Sequence, residues 1–144
     1  MRRNGIIYFN IRMAIKKKKE TPYFFKKVVK IPMYGGNFII LFSNDISKVS
    51  KVVNAKEELI LYLYAHTFHN FLYGGYESFC VCFNFWTDNP ITTGTLMHEI
   101  THAGNRILLS RYFEPDWTND EAEAYLKGWL ADEVEKFMKQ CNMF

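Results

Sequence analysis

Short segments rich in β-branched and aromatic residues occupy most of the first 86 positions, and turn-forming residues separate them. Such segments are typical of β-strands. Turn signals lie at 16–22, 34–37 and 73–75, where Lys, Gly, Asn and Pro concentrate. The pattern predicts strands over 6–15, 23–31, 38–42, 59–68 and 76–86, although the long apolar run at 59–68 also fits a buried helix.

Apolar residues recur at helical spacing in three further segments. The first is a short helix from a cap at Asp45 to residue 53. A longer helix begins at Thr92 or Thr93, and the last begins at Asn119 or Asp120. The apolar stripes of these two helices consist of Leu96, Ile100, Ala103, Ile107 and Leu108 in the first and Ala122, Leu126, Trp129, Leu130, Val134 and Phe137 in the second.

These elements predict a single α+β domain over residues 1–144. Residues 1–90 form mainly strands with one short helix, and residues 91–144 form two helices. A chain of 144 residues with 49% apolar content has room for one core. We therefore expect a small, mostly antiparallel sheet packed against the two C-terminal helices.

Charge and cysteine content narrow the class of protein. The formal net charge is only +3, and the lysine run at 16–19 is read as a solvated strand edge in preference to a nucleic-acid surface. Three cysteines at irregular spacing predict a reducing compartment, with Cys80 and Cys82 filling the core. The chain shows neither an apolar run of roughly 18 residues nor the features of a signal peptide. We expect a soluble cytoplasmic protein without a membrane span.

The first long helix contains the sequence His98-Glu99-Ile100-Thr101-His102, which matches H-E-x-x-H. Residues four apart lie one turn along the same helix face, so His98 and His102 can bind one Zn²⁺. Glu99 is not a ligand in this arrangement and is the predicted catalytic base that takes a proton from a zinc-activated water.

A catalytic zinc site needs a third protein ligand. Glu121 and Glu123 lie near the start of the last helix and face different ways, so only one can reach the metal. Glu121 is favoured because small residues continue its face, and Glu123 is the alternative. His66 and His69 also remain candidates, of which at most one can reach the metal because residues three apart on a strand face opposite sides.

The motif and the residues that follow it resemble the gluzincin group of zinc peptidases. His-Glu-Ile-Thr-His-Ala at 98–103, followed by Asn-Asp-Glu-Ala-Glu-Ala-Tyr-Leu at 119–126, is similar to small metallopeptidase-like proteins encoded by bacteriophages. The resemblance covers roughly the last 60 residues. It implies a zincin-like fold, a zinc cofactor with Glu121 as a ligand, and a host-cytoplasmic or virion location.

The resemblance also implies an edge strand beside the motif helix that pairs with an extended peptide or protein substrate. The segment 76–86 holds that position in the sequence, with Phe79, Val81 and Phe83 as its apolar residues. Transition-state stabilisation is needed too, and Tyr125, Tyr112 and Arg106 are candidates by proximity in sequence.

Three functions follow from these features. The leading one is a zinc hydrolase that cleaves a peptide bond. The second is a structural or binding module, such as a component or cargo of a phage particle, that retains the zincin fold with little or no proteolytic activity. The third is a regulatory nucleic-acid binder, motivated only by the lysine run at 16–19, and its binding would have to weaken as salt rises.

Overall fold

A computed structural model describes residues 22–60, 65–84, 91–114, 116, 118 and 120–142 of the chain. The strand expected at 6–15 and the lysine run at 16–19 lie outside these residues. Within them the chain has an α+β fold of four strands and four helices. The strands are β1 (Phe24–Lys30), β2 (Asn37–Ser43), β3 (Ala65–Tyr73) and β4 (Tyr76–Phe83), and the helices are α1 (Ile46–Val53), α2 (Glu57–Ile60), α3 (Thr93–Ser110) and α4 (Asp120–Gln140).

The four strands form one mixed sheet in the order β1-β2-β4-β3. The outer pairs, β1 with β2 and β3 with β4, are antiparallel, whereas the central pair β2 and β4 is parallel. The prediction of an edge strand at 76–86 is therefore wrong, because β4 is hydrogen-bonded to a neighbour on each side. Among the described strands, the edge strand beside β4 is β3.

Local sequence signals explain where most of these elements begin and end. Asp45 caps α1 by accepting a hydrogen bond from the Lys48 amide, and Thr92 caps α3 in the same way through the Thr95 amide. Gly74 and Gly75, both with positive φ, form the two-residue loop of the β3–β4 hairpin.

The segment 59–68 differs from its predicted strand. Residues up to Ile60 form the short helix α2, and β3 begins only at Ala65. The long apolar run conceals this boundary, because buried helices and buried strands share the same composition.

Each face of the sheet buries a separate set of apolar side chains. One face packs against α1 and contains Cys80 and Cys82, as predicted, while the other packs against α3 and α4. On the second face Phe38 contacts Trp129, and Phe42 stacks on Phe137 with ring centroids 5.2 Å apart. Helix α4 therefore runs in the same direction as β2. Among the helices that the structure describes, none is long and apolar enough to cross a membrane.

Candidate functional site

The H-E-x-x-H motif lies near the middle of α3, where the two histidines share the exposed helix face. The Nε2 atoms of His98 and His102 are 3.1 Å apart, and their rings meet nearly edge to face at an interplanar angle of 80°. Two nitrogens bound to one tetrahedral zinc ion at 2.0–2.1 Å would lie about 3.3 Å apart. The two imidazoles therefore already have the separation that a shared metal ion requires.

Glu99 points from the same helix turn towards the sheet and is only 5% exposed. Its Oε2 atom accepts a hydrogen bond of 2.6 Å from the Thr67 hydroxyl on β3, and its backbone oxygen lies 3.1 Å from that hydroxyl. Its other carboxylate oxygen, Oε1, is 4.0 Å from Nε2 of His98. One carboxylate oxygen is thus held by the sheet while the other faces the histidine pair.

A cavity of about 260 Å³ lies between α3 and β3 in front of these groups. All four histidines of the chain line it, although they come from two segments about thirty residues apart in sequence. The complete lining consists of Ala65, His66, Thr67, His69, His98, Glu99, His102 and Arg106. We call this cavity the histidine cleft.

His66 and His69 reach the histidine cleft from opposite faces of β3. Ala65 and Thr67 lie on the face that packs against α3, and strand alternation places His69 with them. A bulge between Phe68 and Phe71 returns Phe71 to the α1 face. His66 reaches the cleft from that α1 face because β3 is an edge strand.

The His66 side chain is exposed, and its ring contacts Phe68 edge to face, with centroids 4.7 Å apart. Partial desolvation of the ring lowers the pKa of His66 below 6.5. The Glu99 carboxylate opposes this shift, and His102 and His69 add to it. The lowered pKa favours the neutral imidazole. The sequence predicts that at most one of His66 and His69 can bind the metal. Both line the histidine cleft, from opposite faces of β3.

The structure does not bring the predicted carboxylate ligands of α4 to the motif. Gly104 of α3 lies against the Lys127 stem, and α4 runs antiparallel to α3. With a rise of 1.5 Å per residue, Glu121 lies about 15 Å along the helix pair from the middle of the motif. Glu121 is exposed, and Glu123 pairs with Lys127. Over the described residues, no group of three or more His, Cys, Asp or Glu side chains is assembled around a metal position.

Gly104 allows a neighbouring helix, α4, to approach the motif helix. A Cβ atom at this position would come within 2.7 Å of Cγ of Lys127. The residue that approaches is thus a lysine whose ammonium group is already paired with Glu123. This approach positions α3 and supplies no ligand.

The other predicted site residues divide into two groups. Phe79, Val81 and Phe83 are at most 2% exposed within the core and do not form a substrate edge. Tyr112 and Tyr125 are 97% and 78% exposed and do not line the histidine cleft, whereas Arg106 does. Arg106 follows His102 by one helix turn and is the cation nearest in sequence to the motif.

Sequence reasoning missed Thr67. Its sequence signal is a hydroxyl residue in the inward-facing series of an otherwise aromatic and aliphatic strand, a position where a buried polar group needs a partner. Identifying that partner as Glu99 requires knowing that β3 lies beside α3.

Comparisons with protein families, with curated proteins and with solved structures gave no match.

Proposed function

We propose that the protein is a zinc-dependent hydrolase of the metallopeptidase type, with a zincin-like site, that cleaves a peptide bond. The observation that supports this most directly is the pair of imidazole nitrogens 3.1 Å apart, with a carboxylate oxygen 4.0 Å from one of them, at the wall of an open cavity. Imidazole nitrogens are preferred zinc ligands, and a neighbouring carboxylate is the usual base in such sites.

His98 and His102 would hold the ion. When bound, zinc supplies a Lewis acid that lowers the pKa of a coordinated water and polarises a substrate carbonyl. The residues of the chain perform the remaining work. They orient the base, exclude bulk water from one side and bind the substrate.

Glu99 is placed to move a proton. Its Oε1 faces His98, while its Oε2 is occupied by the Thr67 hydroxyl. Oε1 is therefore the atom that accepts a proton from the attacking water and later returns it to the leaving amine. Thr67 is a positioning residue, because it fixes the rotation of the carboxylate without touching the reacting atoms. Arg106 is the candidate for stabilising negative charge that develops on the carbonyl oxygen.

The substrate surface implied by this arrangement is the free edge of β3. This strand borders the histidine cleft and leaves one side of its backbone unpaired within the described sheet. An extended peptide or protein segment that pairs with that edge would pass directly in front of the motif. The phage resemblance adds a location in the host cytoplasm or in the virion to the proposal.

One observation favours a second candidate. Because the described residues do not assemble a third ligand around the histidine pair, the fold also suits a module without hydrolytic activity, such as a component or cargo of a phage particle. Such a module would have no need of Glu99 as a base.

Metal analysis of purified variants tests the proposal. We expect about one zinc ion per wild-type chain, loss of zinc in His98→Ala, and retention of zinc in Glu99→Gln. Asn105→Gln, an exposed change on α3 outside the histidine cleft, is the matched control.

Activity is then measured against a mixed peptide library by mass spectrometry. Cleavage by wild type and by Asn105→Gln, but not by Glu99→Gln, is the expected result. A wild-type protein that binds no zinc refutes the proposal. Stoichiometric zinc without any cleavage would support the binding module.

A further inference from the structure

The histidine cleft contains more imidazole groups than the motif accounts for. Two of its four histidines, His66 and His69, come from β3, opposite the motif on α3. A cavity of this volume corresponds to a sphere about 8 Å across. An imidazole from the strand wall therefore faces the ligand pair across a space that a single metal ion and its ligands would largely fill.

His69 is in the better position along the cleft. Helix α3 and strand β3 run in the same direction, since each is antiparallel to β4. Thr67 contacts Glu99, which aligns the two elements at that level. From there His69 is two strand residues onward, about 6.6 Å, which corresponds to about four helix residues. That distance places His69 opposite the helix turn that begins with His102.

The alternation of side chains along β3 also places His69 on the side of the motif. His69 shares its face with Thr67, and that face packs against α3. His69 lies in the bulge between Phe68 and Phe71, opposite Phe79, whose side chain is on the same face of the sheet. His66, in contrast, projects from the α1 face and is held by its ring contact with Phe68. It lines the cleft from that opposite face.

We propose that His69 is the third protein ligand of the metal, so that the site consists of three imidazoles from α3 and β3. This inference rests on the proposed metal binding by His98 and His102. His69 then takes the place of the Glu121 carboxylate of α4, which lies about 15 Å away along the helix pair. Three neutral imidazoles leave the double positive charge of the ion uncompensated, and the Glu99 carboxylate is then the anion beside it.

Cobalt substitution tests ligation directly. In His69→Cys, a thiolate would replace the imidazole as ligand, and bound Co²⁺ would show an intense sulfur-to-metal charge-transfer band in the near ultraviolet. The matched control is His66→Cys, on the same strand and also at the cleft, which should bind Co²⁺ without this band. A His69→Cys protein that binds Co²⁺ but lacks the band overturns the inference.

Zinc affinity supplies the second measurement and does not depend on the cysteine variants. We expect His69→Gln to weaken zinc binding by at least about 100-fold, and His66→Gln and Glu121→Gln to change it by less than about threefold. Loss of zinc in Glu121→Gln with retention in His69→Gln overturns the inference and leaves the proposed function standing. A wild-type chain that binds no zinc refutes both. Circular dichroism confirms that each variant is folded.

Discussion

Replacing Thr67 with valine should destabilise the protein even though valine fills the same space. Thr67 is 7% exposed and Glu99 is 5% exposed, so the carboxylate oxygen that accepts the threonine hydroxyl has little access to water. A hydrogen bond to a charged group contributes about 1.5–3 kcal/mol. Oε1 faces the cleft, so the carboxylate keeps part of its hydration when Oε2 loses its donor. We expect a cost of about 2 kcal/mol in the free energy of unfolding.

Urea unfolding of the metal-free protein, followed by circular dichroism, measures this cost. A loss of about 2 kcal/mol lowers the Tm of a domain of this size by roughly 8 °C. The matched control is Thr101→Val, which removes an exposed hydroxyl that bonds to the Met97 oxygen and should change stability by less than about 0.5 kcal/mol.

A double-mutant cycle isolates the contact between the two side chains. In a Glu99→Leu background the acceptor side chain is absent, so Thr67→Val should cost much less, with a coupling energy of about 1.5 kcal/mol. Equal costs for Thr67→Val in both backgrounds, or a cost no larger than that of Thr101→Val, would refute the assignment of Thr67 as the residue that orients Glu99.

Two further predictions concern the core and a turn. Burial raises the pKa of Cys82 to about 12 and that of Cys80 well above 9.0, so iodoacetamide at pH 8 should label Cys141 first and the other two thiols only on unfolding. Because the pKa values of these two thiols are higher in the folded protein than in the unfolded chain, their contribution to stability is lost as the pH rises above about 9. Rapid labelling of Cys80 or Cys82 in the native protein would contradict this. Gly36→Ala should lower the free energy of unfolding in urea by about 2–3 kcal/mol, which is more than Gly35→Ala should. Both positions have positive φ, but only at Gly36 would a Cβ atom lie 2.7 Å from a backbone oxygen of β4. Equal costs would show that this contact is unimportant.

Sequence patterns predicted the elements whose signals are local. The cap at Asp45, the cap at Thr92 or Thr93 and the turn at 73–75 all depend on interactions within a few residues. The structure has caps at Asp45 and Thr92 and a hairpin loop at Gly74 and Gly75. The apolar stripe of α3 is likewise buried from Ile100 to Leu108, because a helix has one period and needs one partner surface.

Strand order could not be predicted in this way. Nothing within β4 reveals whether one neighbour or two will pair with it, because an apolar strand can lie at the centre or at the edge of a sheet. The expectation that Phe79, Val81 and Phe83 line a substrate edge failed for this reason.

The candidate site also combines features that the sequence predicts locally with features that depend on the tertiary fold. The separation of His98 and His102 follows from helix geometry and was predictable. The meeting of Thr67 and His69 with the motif depends on the packing of β3 against α3, and the position of Phe71 depends on a bulge. These are tertiary features, so the cleft emerges only from the fold.

The parallel pairing of β2 with β4 has a consequence for how the chain acquires its structure. Strands β1 and β2 are close in sequence, as are β3 and β4, so each antiparallel hairpin can form rapidly by itself. The two hairpins join where β2 pairs with β4, and these two strands are separated in the chain by α1, α2 and β3. Joining the hairpins is thus the step of high contact order and the expected kinetic barrier. The motif helix follows β4 in the chain and packs across the second hairpin, so the histidine cleft can form only after that hairpin and α3 have both been synthesised.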